Sequence, residues 1–265
     1  MGELSLAIAG LRIAVVTRDS DVDELIHDRY KGFVSPGIAD WRLELDIGAL
    51  ASRRPADDVL VSRHDAAASF RIERADFRAT VDLADRAAAV TLADTNEYSL
   101  DSFLRVLYSL ALVDAGGLIV HAASLTRHGV ARLFCGRSGS GKTTLAGLSS
   151  EATLLSDELS IVRMADARPR CHGTPFWGKF ARAGIDQSAP LAAIYFLHHG
   201  HRHVVERVSP RQALERLLPN VLFFARDGEL GGRVLAIASD LVDAVPCYDL
   251  FFRLDSGFWE VIDHA

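Results

Sequence analysis

The sequence is poor in the residues that mark several common protein classes. Its 265 residues include only three cysteines, Cys135, Cys171 and Cys247. They lie too far apart for a zinc knuckle, and an odd count makes no disulfide framework, so a reducing compartment is expected. Nor is there a basic excess: 29 lysines and arginines face 35 aspartates and glutamates, for a net charge of -6. That balance gives no general attraction to nucleic acid or to an anionic membrane, and neither is expected as a partner. No apolar run reaches the roughly 20 residues that cross a bilayer. Residues 4–16 are largely apolar but carry Arg12, with no basic leader and no small-residue cleavage site. The myristoylation pattern fails too, because Leu6 stands where Ser or Thr is needed. This stretch reads as two short strands around Gly10, and the protein as soluble and cytoplasmic. What is present, 49% apolar and 24% charged residues, suits an ordinary globular chain with a large core.

Up to about Glu97 the hydrophobic pattern has a period of two. Residues 41–47 (WRLELDI) alternate as a half-buried strand does. Residues 58–62, 68–73, 77–83 and 87–92 continue the series, with Asp65, Asp76 and Asp85-Arg86 as turn residues. Residues 19–30 form one short helix in this reading. The expectation is a small β-rich N-terminal module over residues 1–97, structural or substrate-recognising, with a second domain over residues 98–265. That second domain begins with a helix over residues 100–113, whose Leu100, Phe103, Leu104, Leu107, Leu110 and Ala111 share one face. Ser99 is placed to cap its start, and Gly116-Gly117 to end it. A buried strand over residues 118–125, a hairpin turn at residues 126–129 and a second buried strand over residues 130–135 follow.

The next residues carry the most specific signal. Gly136-Arg137-Ser138-Gly139-Ser140-Gly141-Lys142-Thr143 fits the phosphate-binding pattern G-x-x-x-x-G-K-[ST] at every fixed position. Glycines let the backbone turn tightly and aim successive N–H groups inward, forming a nest for an anion. Lys142 is the residue expected to reach the β- and γ-phosphates, and the Thr143 hydroxyl to hold Mg²⁺. Thr144 opens a helix whose N-terminus would face the phosphates. The pattern implies a nucleoside triphosphate as ligand, taken here as ATP though GTP fits it equally, with Gly136 to Thr144 as its binding residues and Mg²⁺ as cofactor.

Two further features lie close to this loop in sequence. His121 sits inside the apolar strand before the hairpin. It is either a core histidine bonded to a carbonyl or, because its strand should pair with the one feeding the loop, a residue beside the triphosphate. Asp157-Glu158 ends an apolar run, with only 13 residues between Thr143 and Asp157. A strand ending in an acid downstream of such a loop can hold Mg²⁺, and adjacent acids suggest a second task, receiving the proton of an attacking hydroxyl. Asp-Glu between apolar runs is otherwise an ordinary turn.

A histidine-bearing strand, a hairpin, a G-x-x-G-x-G-K-T loop and a nearby acidic pair together resemble the catalytic domain of HPr kinase/phosphorylase. The resemblance covers Gly117 to about Val162, weakens to about Leu218, and does not extend to the N-terminal half. It implies a P-loop domain of the phosphoenolpyruvate-carboxykinase-like type with a mixed sheet. It also implies a kinase acting on serine of a peptide or small protein, in a homo-oligomer. His121 matches that family's active-site histidine, Lys142 its phosphate lysine and Thr143 its Mg²⁺-ligating hydroxyl. Asp157-Glu158 matches a pair that is usually Asp-Asp, with Asp157 favoured as proton acceptor and either acid open to the metal. The family's later acid-arginine-glycine signature is missing. In its place stand residues 173–182 (GTPFWGKFAR), where Lys179 or Arg182 could reach a phosphate. That loss favours the shorter relatives that phosphorylate a precursor peptide over HPr itself. A small-molecule kinase, a carboxykinase-like enzyme and a nucleotide-dependent switch are the alternatives.

The rest reads as scaffold: a strand over residues 191–197, a helix over residues 209–218 presenting Ala213, Leu214, Leu217 and Leu218, a helix over 230–240 and a strand over 247–254. His198, His199, His201 and His203 read as a hairpin with His201 and His203 on one face, not as a metal site. Arg211, Arg216 and Arg226 are equal candidates for a phosphate-contacting arginine.

Overall fold

The period-two stretches become strands. In the computed structural model, which describes residues 2–50, 59–64, 68–165, 168–177 and 183–265, the chain is mixed α/β and divides into two units, each built on a mixed sheet. Asp58, Asp65, Lys179 and Arg182 lie outside the described residues. Among the described residues no helix is long and apolar enough to cross a membrane.

The first unit holds β1 (Gly2–Ile8), β2 (Leu11–Thr17), α1 (Ser20–Arg29), β3 (Trp41–Ile47), β4 (Leu60–Arg63), β5 (Ser69–Glu73), β6 (Phe77–Asp82), β7 (Ala87–Leu92) and α2 (Glu97–Asp114). Its strands lie in the order β1-β2-β3-β7-β6-β5-β4. Ala9 and Gly10 close the β1–β2 hairpin with positive φ of 54° and 75°, the conformation a two-residue turn needs. Along β3 the burial alternates strictly, with Trp41, Leu43 and Leu45 inside. Asp19 caps α1 by accepting from the amides of Asp21 and Val22.

The expected boundary near Glu97 and the expected cap both shift. Asn96, not Ser99, caps α2, taking the Ser99 amide at 2.8 Å, while the Ser99 hydroxyl donates to Asp76. α2 belongs to the first unit, which runs from Met1 to Ala115 and takes in Phe223–Gly232 as well. The reason is a buried knot of charge on that helix. Arg29 donates to both oxygens of Asp101 at 3.0 Å, the Tyr30 hydroxyl donates to Asp101 at 2.6 Å, and Arg105 reaches it at 3.1 Å. Burial, reinforced by Asp101, raises the Tyr30 phenol well above its usual value, so it remains a donor. The returning segment is tied in by Arg63, which donates to Asp227 at 2.7 Å, and by a bridge between Val61 and Ala225.

The second unit comprises Gly116–Leu222 and Arg233–Ala265. It contains β8 (Gly117–Arg127), β9 (Val130–Cys135), α3 (Lys142–Gly147), β10 (Thr153–Ser156), β11 (Leu159–Ala165), β12 (Arg168–His172), β13 (Ser188–His199), β14 (Val204–Arg207) and α4 (Pro210–Leu217). α5 (Gly228–Ala244), across which the division between the units falls, leads to β15 (Cys247–Phe252) and α6 (Phe258–Asp263). His128 and Gly129, with φ of 55° and 78°, make the β8–β9 turn. β9 and β15 both run parallel to β13, so three strands end at one edge of the sheet, with Cys135 beside Phe196 and Phe252 beside His199. Chain segments that follow such ends are where α/β sheets bind ligands.

The core of this unit joins β8, β9, β13 and β15 to Leu145 of α3 and to Phe258, Trp259 and Ile262 of α6. Trp259 lies under the guanidinium groups of Arg127 and Arg132, 5.0 and 5.5 Å from its ring centre. Its Nε1 donates to Ser149 Oγ at 3.1 Å, and that hydroxyl donates to the carbonyl of Leu145 at 2.7 Å. On α4, Ser209 and Gln212 form a reciprocal capping box. Of its four expected core residues, Ala213 and Leu217 are buried, while Leu214 and Leu218 are only partly so.

His172, at the end of β12, gives this unit a measurable acid sensitivity. Burial, then the charges of Arg163 and Arg170, push it from 6.5 down to about 4. The unfolded chain therefore takes up that proton at higher pH than the folded one. The residue's contribution is complete above pH 6.5, declines as the pH falls and is lost near pH 4. His172→Gln is expected to match wild type in urea denaturation at pH 7. On acidification to about pH 4.5 it should lose about 1–2 kcal/mol less stability than wild type.

Candidate active site

The phosphate-binding pattern forms a tight turn between β9 and α3. Gly139 and Gly141 have φ of 83° and 97°, which a side chain strains. Gly141 is crowded as well, since a Cβ there would stand 2.8 Å from the Phe252 ring, and one on Gly136 would overlap the Ser140 hydroxyl. The turn is closed by the Ser140 amide donating to Arg137 O at 3.0 Å and the Leu145 amide to Gly141 O at 2.8 Å. Lys142 is only 7% exposed, and its ammonium donates to Gly136 O at 2.6 Å and Arg137 O at 3.2 Å. Burial lowers its pKa, while Cys135 and Glu158 oppose the shift. α3 is short, six residues from Lys142 to Gly147.

A cleft of about 330 Å³ opens over this loop, within the size range of small-ligand sites. It is lined by His121, Ser138, Gly139, Gly141, Lys142, Thr143, Thr144, Asp157 and Glu158. Gly136, Arg137 and Ser140, expected with them, shape the turn from behind and do not line the cleft. The acids reach it because β10 and β11 pair in succession with β8. Ser156 lies opposite Ser124 and Leu159 opposite His121, so Asp157-Glu158 forms the bend between them. The Ala122 amide donates to Glu158 O at 2.9 Å and holds that bend against the histidine strand. Asp157 is 3% exposed, Glu158 half-buried. His121 is half-buried too, and its pKa is lowered by burial and then by Lys142. At neutral pH it is therefore an uncharged imidazole with one N–H to donate.

Among the described residues, the other histidines and arginines singled out in the sequence stand outside the cleft. β14 pairs with β15 and not with β13, so the expected hairpin with His201 and His203 on one face does not form. His198 bonds Asp249 at 2.8 Å and His203 bonds Asp255 at 2.7 Å. Arg211 pairs with Glu215 and Arg216 with Asp249; neither they nor Arg226 line the cleft. Three residues that pattern reading passed over do bear on the site. Phe252 fills the space Gly141 leaves, His199 Nε2 donates to Gly139 O at 3.0 Å, and Thr174 touches the acidic bend. No sequence motif flags them, since each acts through backbone contact across the sheet.

The cleft lining includes hard oxygen donors, the Thr143 hydroxyl and the carboxylates of Asp157 and Glu158, beside the imidazole of His121. Among the described residues no three His, Cys, Asp or Glu side chains gather into a self-sufficient metal site. One or two carboxylates with a substrate phosphate is how Mg²⁺ is usually bound, so these residues fit that ion beside a nucleotide.

No curated protein matches the chain. A family model described as SynChlorMet cassette protein ScmC matches residues 91–265, more than half of the sequence and all of the cleft. On that match the chain belongs to the ScmC family.

Proposed function

We propose that this protein is an ATP- and Mg²⁺-dependent kinase. It transfers the γ-phosphoryl group to a hydroxyl, serine of a peptide or small protein, on a P-loop domain of the HPr-kinase/phosphoenolpyruvate-carboxykinase-like type. The observation that carries this reading is that one cleft is lined together by Ser138, Gly139 and Gly141 to Thr144 of the loop, by His121 and by the acidic pair. A family described as a cassette protein is in keeping with an acceptor encoded alongside it.

In this reading the loop amides and Lys142 cradle the β- and γ-phosphates, Lys142 exchanging its two loop carbonyls for phosphate oxygens. Thr143 and one carboxylate would hold Mg²⁺, which would supply neutralisation of charge on the phosphates. The acceptor oxygen forms a bond to the γ-phosphorus as the bond to the bridging oxygen breaks and ADP leaves. The acceptor's proton passes to the second carboxylate. Asp157 suits that task because it is the more deeply buried acid, while Glu158 is the one whose charge reaches Lys142 at the phosphate side. His121, uncharged, can donate its ring N–H to a phosphoryl oxygen.

The test is product analysis with γ-labelled ATP, Mg²⁺ and candidate peptides, chiefly any short peptide encoded beside the gene. Phosphoserine is the expected product. A labelled metabolite would shift the reading to a small-molecule kinase, and no labelled acceptor at all to a nucleotide-dependent switch. In the same assay His121→Ala should lower turnover by about tenfold or more with little change in melting temperature. A histidine serving only the fold would instead show stability loss of about 1–3 kcal/mol and unchanged activity per folded molecule.

A further inference from the structure

On the side opposite β8, Thr174 bonds the backbone on both flanks of the bend that carries Asp157 and Glu158. Thr174 is completely buried. Its amide donates to Leu155 O at 3.2 Å, ahead of the acids, and its hydroxyl donates to Leu159 O at 2.7 Å, just after them. The same hydroxyl lies 3.3 Å from Ser156 Oγ. A threonine hydroxyl has one proton, and the shorter contact to Leu159 O takes it, so Ser156 donates to Thr174. Ser156 Oγ in turn accepts the Glu158 amide at 3.4 Å. Two glycines let the flanking backbone come this close. A Cβ on Gly184 would collide with Leu155 O, one on Gly173 with Ile185 O, and the Gly184 amide donates to Thr174 O at 3.0 Å. A bend between two strands leaves carbonyls without ladder partners. Here both flanking carbonyls receive theirs from Thr174.

We propose that Thr174 is the positioning residue of the acidic pair: by spanning Leu155 and Leu159 it fixes the angle at which Asp157 and Glu158 meet the metal–nucleotide complex, before that complex arrives. This rests on the nucleotide reading above. Residues behind a metal's ligands typically tune its binding without touching it. Because Thr174 acts on the carboxylates and not on the loop, it should affect the share of ATP affinity that depends on Mg²⁺ and leave the rest alone.

The experiment is calorimetric titration of the full-length protein with ATP, once with saturating Mg²⁺ and once with EDTA, for wild type, Thr174→Val and Thr174→Ser. Valine keeps the shape and removes the hydroxyl; serine restores it. Thr174→Val is expected to lose about tenfold of the Mg²⁺-dependent gain in ATP affinity, with affinity in EDTA unchanged within about twofold. Thr174→Ser should keep both values within about twofold of wild type. Equal losses with and without Mg²⁺, an unaffected valine variant, or a serine variant as impaired as valine would each overturn the proposal while sparing the nucleotide reading. A wild type that binds no ATP in either condition would overturn both. Should Thr174→Val fail to fold, amide hydrogen exchange of the free wild type decides. Slow exchange across residues 155–159 supports a bend set in advance; exchange as fast as in exposed loops overturns it.

Discussion

Lys142→Ala is expected to abolish measurable transfer and to weaken ATP binding, since removing one aimed donor from a charge-stabilising site by itself costs about 10²–10³-fold in kcat. The side chain is buried, yet what it touches is the loop itself: Gly136 O and Arg137 O, from a half-buried and an exposed residue. Removing the ammonium frees these carbonyls to bond water, each lost bond costing on the order of 1 kcal/mol. The core behind the loop, Phe134 and Leu145 among it, is untouched. The variant should therefore remain folded by circular dichroism, with a melting temperature a few degrees from wild type. Near wild-type turnover in the purified variant would remove this loop from the catalytic centre.

The second large effect separates a kinase from a nucleotide switch. Both need a carboxylate near Mg²⁺, but only a kinase needs one to accept a proton from the acceptor. Asp157→Asn and Glu158→Gln are near-isosteric and remove one charge each. Asp157→Asn is expected to bind Mg-ATP within severalfold of wild type and to lose at least about a hundredfold in transfer, the typical worth of a general base. Glu158→Gln is expected to raise the Mg²⁺ requirement and recover in part at high Mg²⁺. Exchanged phenotypes would swap the two roles and leave the kinase intact. If both variants lose Mg-ATP affinity alone, and the wild type phosphorylates no peptide or metabolite offered, the protein is a switch.

Pattern reading located the parts of this site whose chemistry is local. The loop has fixed residues at fixed spacing, and the strands on either side of it announce themselves as apolar runs bounded by turn residues. His121 and Asp157-Glu158 could be tied to the loop because an antiparallel hairpin and one short return bring neighbouring segments side by side, as β8, β9, β10 and β11 do. What stayed hidden depends on distant partners. Nothing in residues 97–114 says that Arg29 and Tyr30 will meet Asp101, and that knot assigns the helix to the first unit. Ser99 looked like a cap because it precedes the apolar run, but Asn96 three residues earlier could reach its amide. The histidines after β13 looked like a hairpin until β15, about fifty residues on, took β14 as its neighbour. Thr174 has no motif at all, since what matters is which carbonyls it finds.

The burial of Trp259 gives the molecule a built-in optical probe. The sequence has three tryptophans, and this one is linked through Ser149 to the Leu145 carbonyl of α3, one helical turn beyond Lys142. Two guanidinium groups lie on its ring, and both are anchored to Asp263. Indole emission responds strongly to nearby charge and to the bond at its nitrogen. A shift of α3 as the loop takes up phosphate would therefore register as a change in intrinsic fluorescence, readable without a label. Trp41, buried in the other unit against β2, lies on a strand with no part in the loop, so replacing it with phenylalanine would leave the reporting signal in place.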